Sequence, residues 1–380
     1  MKKRLFIFIS FVFILLLYFV LKSTLLQNEI NTEESTIHQP TKSISLSAKK
    51  YEKSISIAAV GDILIHDRVY NDAVNNQHEY DFKPMLAKVK KQMQEPDFLL
   101  ANQETIVAGK SIGLSGYPSF NSPHEIADSL VDAGVDIVTT ANNHALDRGT
   151  NAQMKSLAYL RKIKLPYVGT YTSQKDQQTI RILEKNQIKV AFLSYTYGTN
   201  GITVPKDKQY MINLIDKQKM KKEIATAKKR ADVIVMGIHW GIEYERFPNE
   251  EQKELAQFLV DQGVNIVFGG HPHVLQPMEW LKNKQGDKAL VVYSLGNFLS
   301  GQDEAYRNIG GIATVKVKKT KSNGETTIHL EKPSFFPTYA YSHQEKDYQL
   351  LPLNEANQYG LSNASSVYKV TMDHMMHKLD

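Results

Sequence analysis

Cysteine is absent from the 380 residues. That excludes disulfides, thiolate metal sites and cysteine nucleophiles together. It is compatible with an oxidising exterior without identifying a compartment. A strong charge of one sign is lacking as well: 46 Lys and Arg against 40 Asp and Glu leave +6. The lysines are scattered, and their one dense cluster, residues 217–230, reads as the solvated face of a helix. Nucleic acid is therefore not an expected partner. Composition also argues against wholesale disorder, because 42% hydrophobic and 23% charged residues is the balance of a folded chain. The length allows one large domain or two ordinary ones.

The longest apolar stretch comes first. Lys2, Lys3 and Arg4 precede residues 5–21, which are apolar except for Ser10 and Tyr18, and Lys22 follows. As a helix this run is roughly 25 Å long, just enough for a bilayer core of about 30 Å with flanking lysines snorkelling. No small-x-small cleavage site and no lipobox cysteine follow it, so an uncleaved signal anchor is expected rather than a removed signal peptide. The basic tip would be cytoplasmic and the rest outside, a single-pass cell-membrane protein of bacterial type. Residues 23–53 are polar and aperiodic and read as a flexible tether. The folded domain is expected over 54–335, with a polar, Tyr-rich extension at 336–380.

From residue 55 onward, strand-like and helical segments alternate, which predicts an α/β fold. Helices are expected at 82–93, from a Ser122–Glu125 capping box to Gly134, and at 150–162, 216–230 and 249–262. A strand-rich run after residue 274 suggests a second, more mixed sheet. Just before that run the chain reads Val267-Phe268-Gly269-Gly270-His271-Pro272-His273. An apolar strand stops at two glycines that permit a sharp turn, and a proline holds two imidazoles close together. Neutral imidazole is the commonest protein ligand for a transition metal.

A spacing ties this loop to others. Two strands begin with Asp97 and Asp232, and a third, Asp136, opens a segment resembling the one at Asn265. Seven residues on from the three aspartates stand Glu104, Asn143 and His239; six and eight on from Asn265 stand His271 and His273. Asp62 ends the first strand in the same manner. Five strands thus each place a metal-competent side chain just past the carboxyl end, where open α/β sheets bind ligands.

These residues carry a resemblance. Val60-Gly61-Asp62, Asn102-Gln103-Glu104, the run Asn142-Asn143-His144-Ala145-Leu146-Asp147, His239-Trp240-Gly241, Gly270-His271-Pro272-His273 and Ser294-Leu295-Gly296-Asn297-Phe298 resemble the calcineurin-like metallophosphoesterase superfamily. Within it they are most similar to the poly-gamma-glutamate capsule biosynthesis family, CapA. The resemblance covers residues 55–317. It implies a four-layer α-β-β-α sandwich with two divalent metal ions, Mn, Fe or Zn, where the sheets meet. It implies Glu104 as the bridging carboxylate, with Asn143, His239 and His271 completing one metal site and Asp62 and His273 serving the other. This sequence departs from the superfamily in two places. Leu64 stands where Asp-x-His would put a histidine, with His66 two residues on as a substitute ligand or a surface residue. Glu104 replaces the shorter aspartate.

The implied chemistry is metal-assisted phosphoester hydrolysis, with two ions clamping a phosphoryl group. His144 is placed to protonate the leaving oxygen. Asp147 either orients His144 or caps the helix before Thr150. Asn102 and Asn142 would support the ligands or contact phosphate, and Arg246 and Arg307 could hold a substrate anion. By the same resemblance the chain is expected in synthesis or export of poly-gamma-glutamate, acting on an anionic polymer or phosphorylated substrate beside other synthase subunits. Two alternatives stay open: a general extracytoplasmic phosphoesterase, and a non-catalytic scaffold subunit.

Overall fold

The computed structural model describes residues 17–18, 21–22 and 51–379. The chain divides into two units, Met1–Lys49 and Lys50–Asp380. In the first, Leu17, Tyr18, Leu21 and Lys22 are helical. The membrane-spanning expectation for 5–21 and the tether expectation for 23–53 otherwise lie outside the described residues, except that residues 51–53, expected in the tether, instead open the first strand of the second unit. Among the described residues no helix is long and apolar enough to cross a membrane.

The second unit is a mixed α/β fold with two sheets. Its strands are β1 (Tyr51–Leu64), β2 (Phe98–Gln103), β3 (Ile137–Thr139), β4 (Tyr167–Val168), β5 (Arg181–Lys185), β6 (Ile188–Thr196), β7 (Val233–His239), β8 (Ile266–Gly270), β9 (Leu275–Lys282), β10 (Lys288–Leu295), β11 (Asn297–Ser300), β12 (Ile309–Ser322), β13 (Glu325–His343) and β14 (Lys346–Pro352). One sheet runs β14-β13-β12-β1-β2-β3-β4, with β11 also paired to β1; the other runs β5-β6-β7-β8-β10-β9. The strand-rich run after residue 274 therefore does not form a sheet of its own. β9 and β10 extend the second sheet, whereas β11 to β14 join the first. The reason is that β12 lies antiparallel along β1 from Tyr51↔Lys321 to Val60↔Ile312.

Alternation along the strands builds the layers. Ile57, Ala59, Leu100 and Ile137 of the first sheet pack against Val190, Phe192, Val235 and Phe268 of the second. Their neighbours Ala58, Val60, Leu99 and Val138 face outward, onto Ile126, Leu130, Leu157 and Leu160. Those four belong to helices α1 (Glu125–Asp132) and α2 (Gly149–Lys162). On the far side, Leu193, Ile234, Met236 and Val267 pack against Met220, Ile224, Ala256 and Leu259. These come from α3 (Lys217–Lys228) and α4 (Glu250–Gln262). Each buried Val, Leu, Ile, Phe or Met among them contributes about 1.5–3 kcal/mol.

The boundary drawn at residue 335 falls inside β13. Beyond it, Leu350 and Leu351 are fully buried, and α5 (Ala364–Met376) puts Met375 into the core between the sheets. The tail looks polar because β13 beyond 335 is mostly half-buried, β14 opens with exposed Lys346 and Asp347, and α5 turns only one face inward. Two other expectations change. The helix at 82–93 is two short pieces, Lys83–Leu86 and Lys90–Gln94. The Ser122 capping box does not form, since the Ser122 hydroxyl instead donates to Thr105 Oγ1 at 2.9 Å. At α4 the Asn249–Gln252 capping box is present, and Gly263 closes the helix in the left-handed region with φ 101°.

The residues that open the parallel strands have a structural task. Asp97 Oδ2 accepts from the Ser56 backbone N–H, Asp136 Oδ2 from Leu99, Asp232 Oδ2 from Lys189, and Asn265 Oδ1 from Ile234, all at 2.8–2.9 Å. Each side chain thereby fixes its strand's register against the neighbouring strand. Replacing Asn265 with alanine strands the buried Ile234 N–H and is expected to cost about 1–3 kcal/mol in urea unfolding. A loss below ~0.5 kcal/mol, the scale of ordinary surface changes, would show that this register bond carries nothing.

Candidate metal centre

The ends of β1, β2, β3, β7 and β8 converge, and the side chains at or just past them are buried: Asp62 and His239 within β1 and β7, and Glu104, Asn143, His271 and His273 beyond β2, β3 and β8. Two triplets present one ligand atom each, mutually within 4.8 Å: Glu104 with His271 and His273, and Asp62 with Glu104 and His239. Glu104 is common to both. The division inferred from the family pattern differs, having put His271 with Asn143 and His239. Asp62 and His273 are nonetheless neighbours, with His273 Nδ1 3.1 Å from Asp62 Oδ2.

The loop between β8 and β9 is built differently from its sequence reading. Gly269 and Gly270 do not turn; they lie in β8, paired with Ile238 and His239 of β7. They are glycines for want of room. A Cβ on Gly270 would sit 2.6 Å from Asp62 Oδ1, and one on Gly269 would sit 2.0 Å from the Tyr293 carbonyl oxygen. The turn is made by the histidines themselves, His271 with φ 99° and His273 with φ 59°. Side chains rarely adopt this left-handed region, and such strain is retained where surrounding structure imposes it, often at ligand sites.

Asparagines hold the cluster. Asn102 Nδ2 donates to Asp62 Oδ1 at 2.7 Å and lies 3.3 Å from His239 Nδ1, while Asn102 Oδ1 accepts from Thr139 at 3.0 Å. His239 Nε2 is 2.8 Å from Asn143 Oδ1. Asn142 does not reach the cluster; its amide donates to the Gln103 carbonyl at 2.9 Å and its oxygen accepts from the His144 N–H. His144 Nδ1 lies 2.7 Å from Asp147 Oδ2, which also accepts from the Phe120 N–H. Asp147 is therefore not the cap of α2, where Arg148 holds the N-cap position without a side-chain bond. His66 lies outside both ligand triplets. Its Nδ1 is 3.0 Å from the Leu64 carbonyl oxygen and 3.2 Å from the Gly301 N–H, and its ring packs edge-on against Phe120.

Electrostatics sort the cluster. Burial, reinforced by Asp62, pushes the Glu104 carboxyl up to about 8. Burial lowers His239 to about 3 and His271 to about 2. For His273 burial acts downward too, but Glu104 and Asp62 outweigh it and raise the imidazole to about 9. Burial opposes ionisation of Asp62, yet bonding to His273 and the charge there hold it below the usual carboxylate range. Both Glu104 oxygens and His271 Nδ1 are buried without any hydrogen-bond partner. His239 Nε2 does approach Glu104 Oε1, at 3.4 Å, but its hydrogen bond goes to Asn143.

Two residues of the site went unread in the sequence. Tyr197 lies nearly parallel to the His239 ring and 4.6 Å from that of His271. Asn200 Oδ1 accepts from Asn143 at 3.2 Å, and its amide lies 3.4 Å from His144 Nδ1. Both follow β6, which lies beside β7 in the second sheet, so the strand-end rule would have reached them. β6 lacks the opening aspartate that drew attention elsewhere.

Residues 56–302 match the family model for the bacterial capsule synthesis protein PGA_cap. The chain belongs to this family. Relatives of this PGA_cap protein include the capsule biosynthesis protein CapA of Bacillus anthracis, 28% identical over 279 residues, covering 70% of this chain and 64% of that protein. The PGA biosynthesis protein CapA of Bacillus subtilis (strain 168) is 30% identical over 267 residues, covering 65% and 64%. The chain thus spans just under two thirds of the length of the curated relatives it matches. Among solved structures, an NAD nucleotidase of Haemophilus influenzae aligns with TM-score 0.49 and 14% identity, over 85% of this chain and 57% of that one. A putative 5'-nucleotidase from Staphylococcus aureus aligns with TM-score 0.42 and 15% identity, over 83% and 58%.

Proposed function

We propose that this PGA_cap protein is a membrane-anchored component of capsule-polymer biosynthesis or export, its Lys50–Asp380 unit carrying a dinuclear metal site of the metallophosphoesterase type. One observation carries the site: a carboxylate with two buried, unbonded oxygens stands among three buried histidines. A buried carboxylate without partners costs several kcal/mol, and divalent cations would offset that cost. Asp62, Glu104, His239, His271 and His273, with the Asn143 oxygen, would hold the ions. Nitrogen and oxygen donors without thiolate suit Mn, Fe or Zn. When bound, the ions supply Lewis-acid charge toward a phosphoryl group. The chain's own residues supply orientation and a proton. With Nδ1 of His144 held by Asp147, its Nε2 is left to exchange a proton with a leaving oxygen. The anchoring part rests on the sequence of residues 1–22, and the polymer part on family membership.

Metal analysis of the purified full chain, with hydrolysis of a phosphodiester and a phosphomonoester, tests this reading. Absence of metal after reconstitution, or metal without hydrolysis of either ester, would remove the enzymatic half. A second expectation concerns pH. The metal-free unit keeps protons on Glu104 up to about 8 and on His273 up to about 9. His239 and His271 are already neutral. Ligation must expel the first two protons, so affinity should rise steeply from pH 6 to 8, with proton release visible by calorimetry in buffers of different ionisation heat. A flat profile across that range would contradict the assignment of Glu104 and His273 as ligands.

A further inference from the structure

Two loops at the rim of the site grip each other reciprocally. One follows β7 and carries Tyr244 and Arg246; the other follows β11 and carries Tyr306 and Arg307. The Arg307 guanidinium lies 3.5 Å from the centre of the Tyr244 ring, and that of Arg246 lies 4.0 Å from the centre of Tyr306. Each loop thus gives one arginine and receives the other's. Each is also tied to the candidate ligands. The Tyr244 N–H donates to the Pro272 carbonyl at 2.8 Å, and the Tyr244 ring lies 6.2 Å from that of His273. Buried Asn297, whose backbone pairs with Asp62, donates to Gln302 Oε1 and to the Arg307 carbonyl, both at 2.9 Å.

Both tyrosines are held in the left-handed region, Tyr244 with φ 69° and Tyr306 with φ 68°. An aromatic residue is unfavourable there, and such conformations concentrate at ligand clamps. Both residues also stay substantially exposed, 40% and 47%. Packing is therefore not what the strained geometry achieves. What it achieves is two guanidiniums held over tyrosine rings at the rim of the site, groups whose N–H fork suits a planar anion such as a carboxylate. The structure shows which anion one edge accepts: the exposed Glu304 carboxylate pairs with Arg307.

We infer that Arg246 and Arg307 form a clasp for a carboxylate-bearing chain lying across the mouth of the metal centre, with Glu304 as an internal stand-in that the ligand displaces. The clasp is not a general basic patch, because Glu243 and Glu245 flank Tyr244. A single free carboxylate gains little against that repulsion, whereas a chain engaging both guanidiniums gains from simultaneous attachment. The inference deepens the function proposed above and rests on it for the location of the working site.

Binding of a fluorescein-labelled polyglutamate chain to the full-length protein, read by anisotropy at fixed salt, tests it. Arg246→Gln with Arg307→Gln should weaken binding by about ten-fold or more, the scale of lost charge-assisted hydrogen bonds, and leave metal content unchanged. Glu304→Gln should strengthen binding by freeing the Arg307 edge, an effect that a merely structural Glu304 would not produce. Monomeric glutamate should compete poorly. Wild-type affinity in the double variant, weaker binding in Glu304→Gln, or tighter binding of inorganic polyphosphate than of polyglutamate would overturn the clasp. So would a wild-type protein that holds metal and ignores polyglutamate, leaving the metal reading intact. Conversely, a metal-free protein with the expected arginine and Glu304 pattern would keep the clasp and discard the metal centre.

Discussion

Replacing Glu104 with glutamine should abolish metal retention and, in the metal-free protein, increase stability at alkaline pH. Glu104 is the residue common to both ligand triplets. Loss of a partner merely supporting a ligand costs about 10–100-fold in metal affinity, so loss of the shared ligand should exceed that. The stability effect has the opposite sign. The Glu104 carboxyl rises from 4.5 to about 8 on folding. The folded state therefore binds more protons than the unfolded state between those values, and stability falls with rising pH by up to about 1.4 kcal/mol per pH unit. His273, raised from 6.5 to about 9, adds a fall over its own window. His239 and His271 act oppositely: depressed to about 3 and about 2, they make stability rise with pH up to 6.5. Thermal unfolding in chelator should thus peak near pH 6–7 and decline toward pH 9, with a shallower decline in Glu104→Gln. An unchanged decline in that variant would show that Glu104 does not carry the buried proton, and metal content equal to wild type would remove it from the ligand set.

Much of this centre was legible because one spacing encodes two tasks. Asp97, Asp136, Asp232 and Asn265 open strands and key their register, while the residues about seven positions on stand at the opposite ends. A strand crossing the sheet separates the two, so a count along the chain exposes both. What the count could not give was the arrangement in space. Which histidine approaches which carboxylate depends on how β1, β7 and β8 are staggered, and no single strand records that. The roles of Gly269 and Gly270 were misread for a related reason: their glycine character answers to Tyr293 and Asp62, residues distant in sequence. Ser122 carries a sound local capping signal, yet its hydroxyl goes to Thr105, a tertiary partner overriding propensity. The polar tail beyond 335 hid its strands because β13 there is mostly half-buried and the edge strand β14 begins with exposed Lys346 and Asp347.

Gly61→Ala should be among the most damaging single substitutions in the protein, although it adds one methyl group. Along β2, Val60 pairs with Ala101 and Asp62 with Asn102, so Gly61 is the extra residue of a bulge. That bulge re-aims the strand just before its metal-competent aspartate. The same residue lets β1 approach the β10–β11 turn, where the Asp62 N–H donates to the Gly296 carbonyl at 2.8 Å. A Cβ on Gly61 would lie 1.9 Å from the Gly296 oxygen and 2.8 Å from that of Leu295. Both are backbone atoms of the turn that links β10 to β11, so neither can swing aside as a side-chain tip could. The strands must part, with a cost of about 3 kcal/mol or more. Asp62 then moves away from Asn102 and His273, so metal retention should fall together with stability. Gly198→Ala is the matched control, because a Cβ there meets nothing within 4 Å; it should change stability by less than about 0.5 kcal/mol. Urea unfolding of both variants, with metal content measured on the folded fraction, decides the matter. If Gly61→Ala unfolds like wild type and keeps its metal, the close approach of β1 to the β10–β11 turn does not set the position of Asp62.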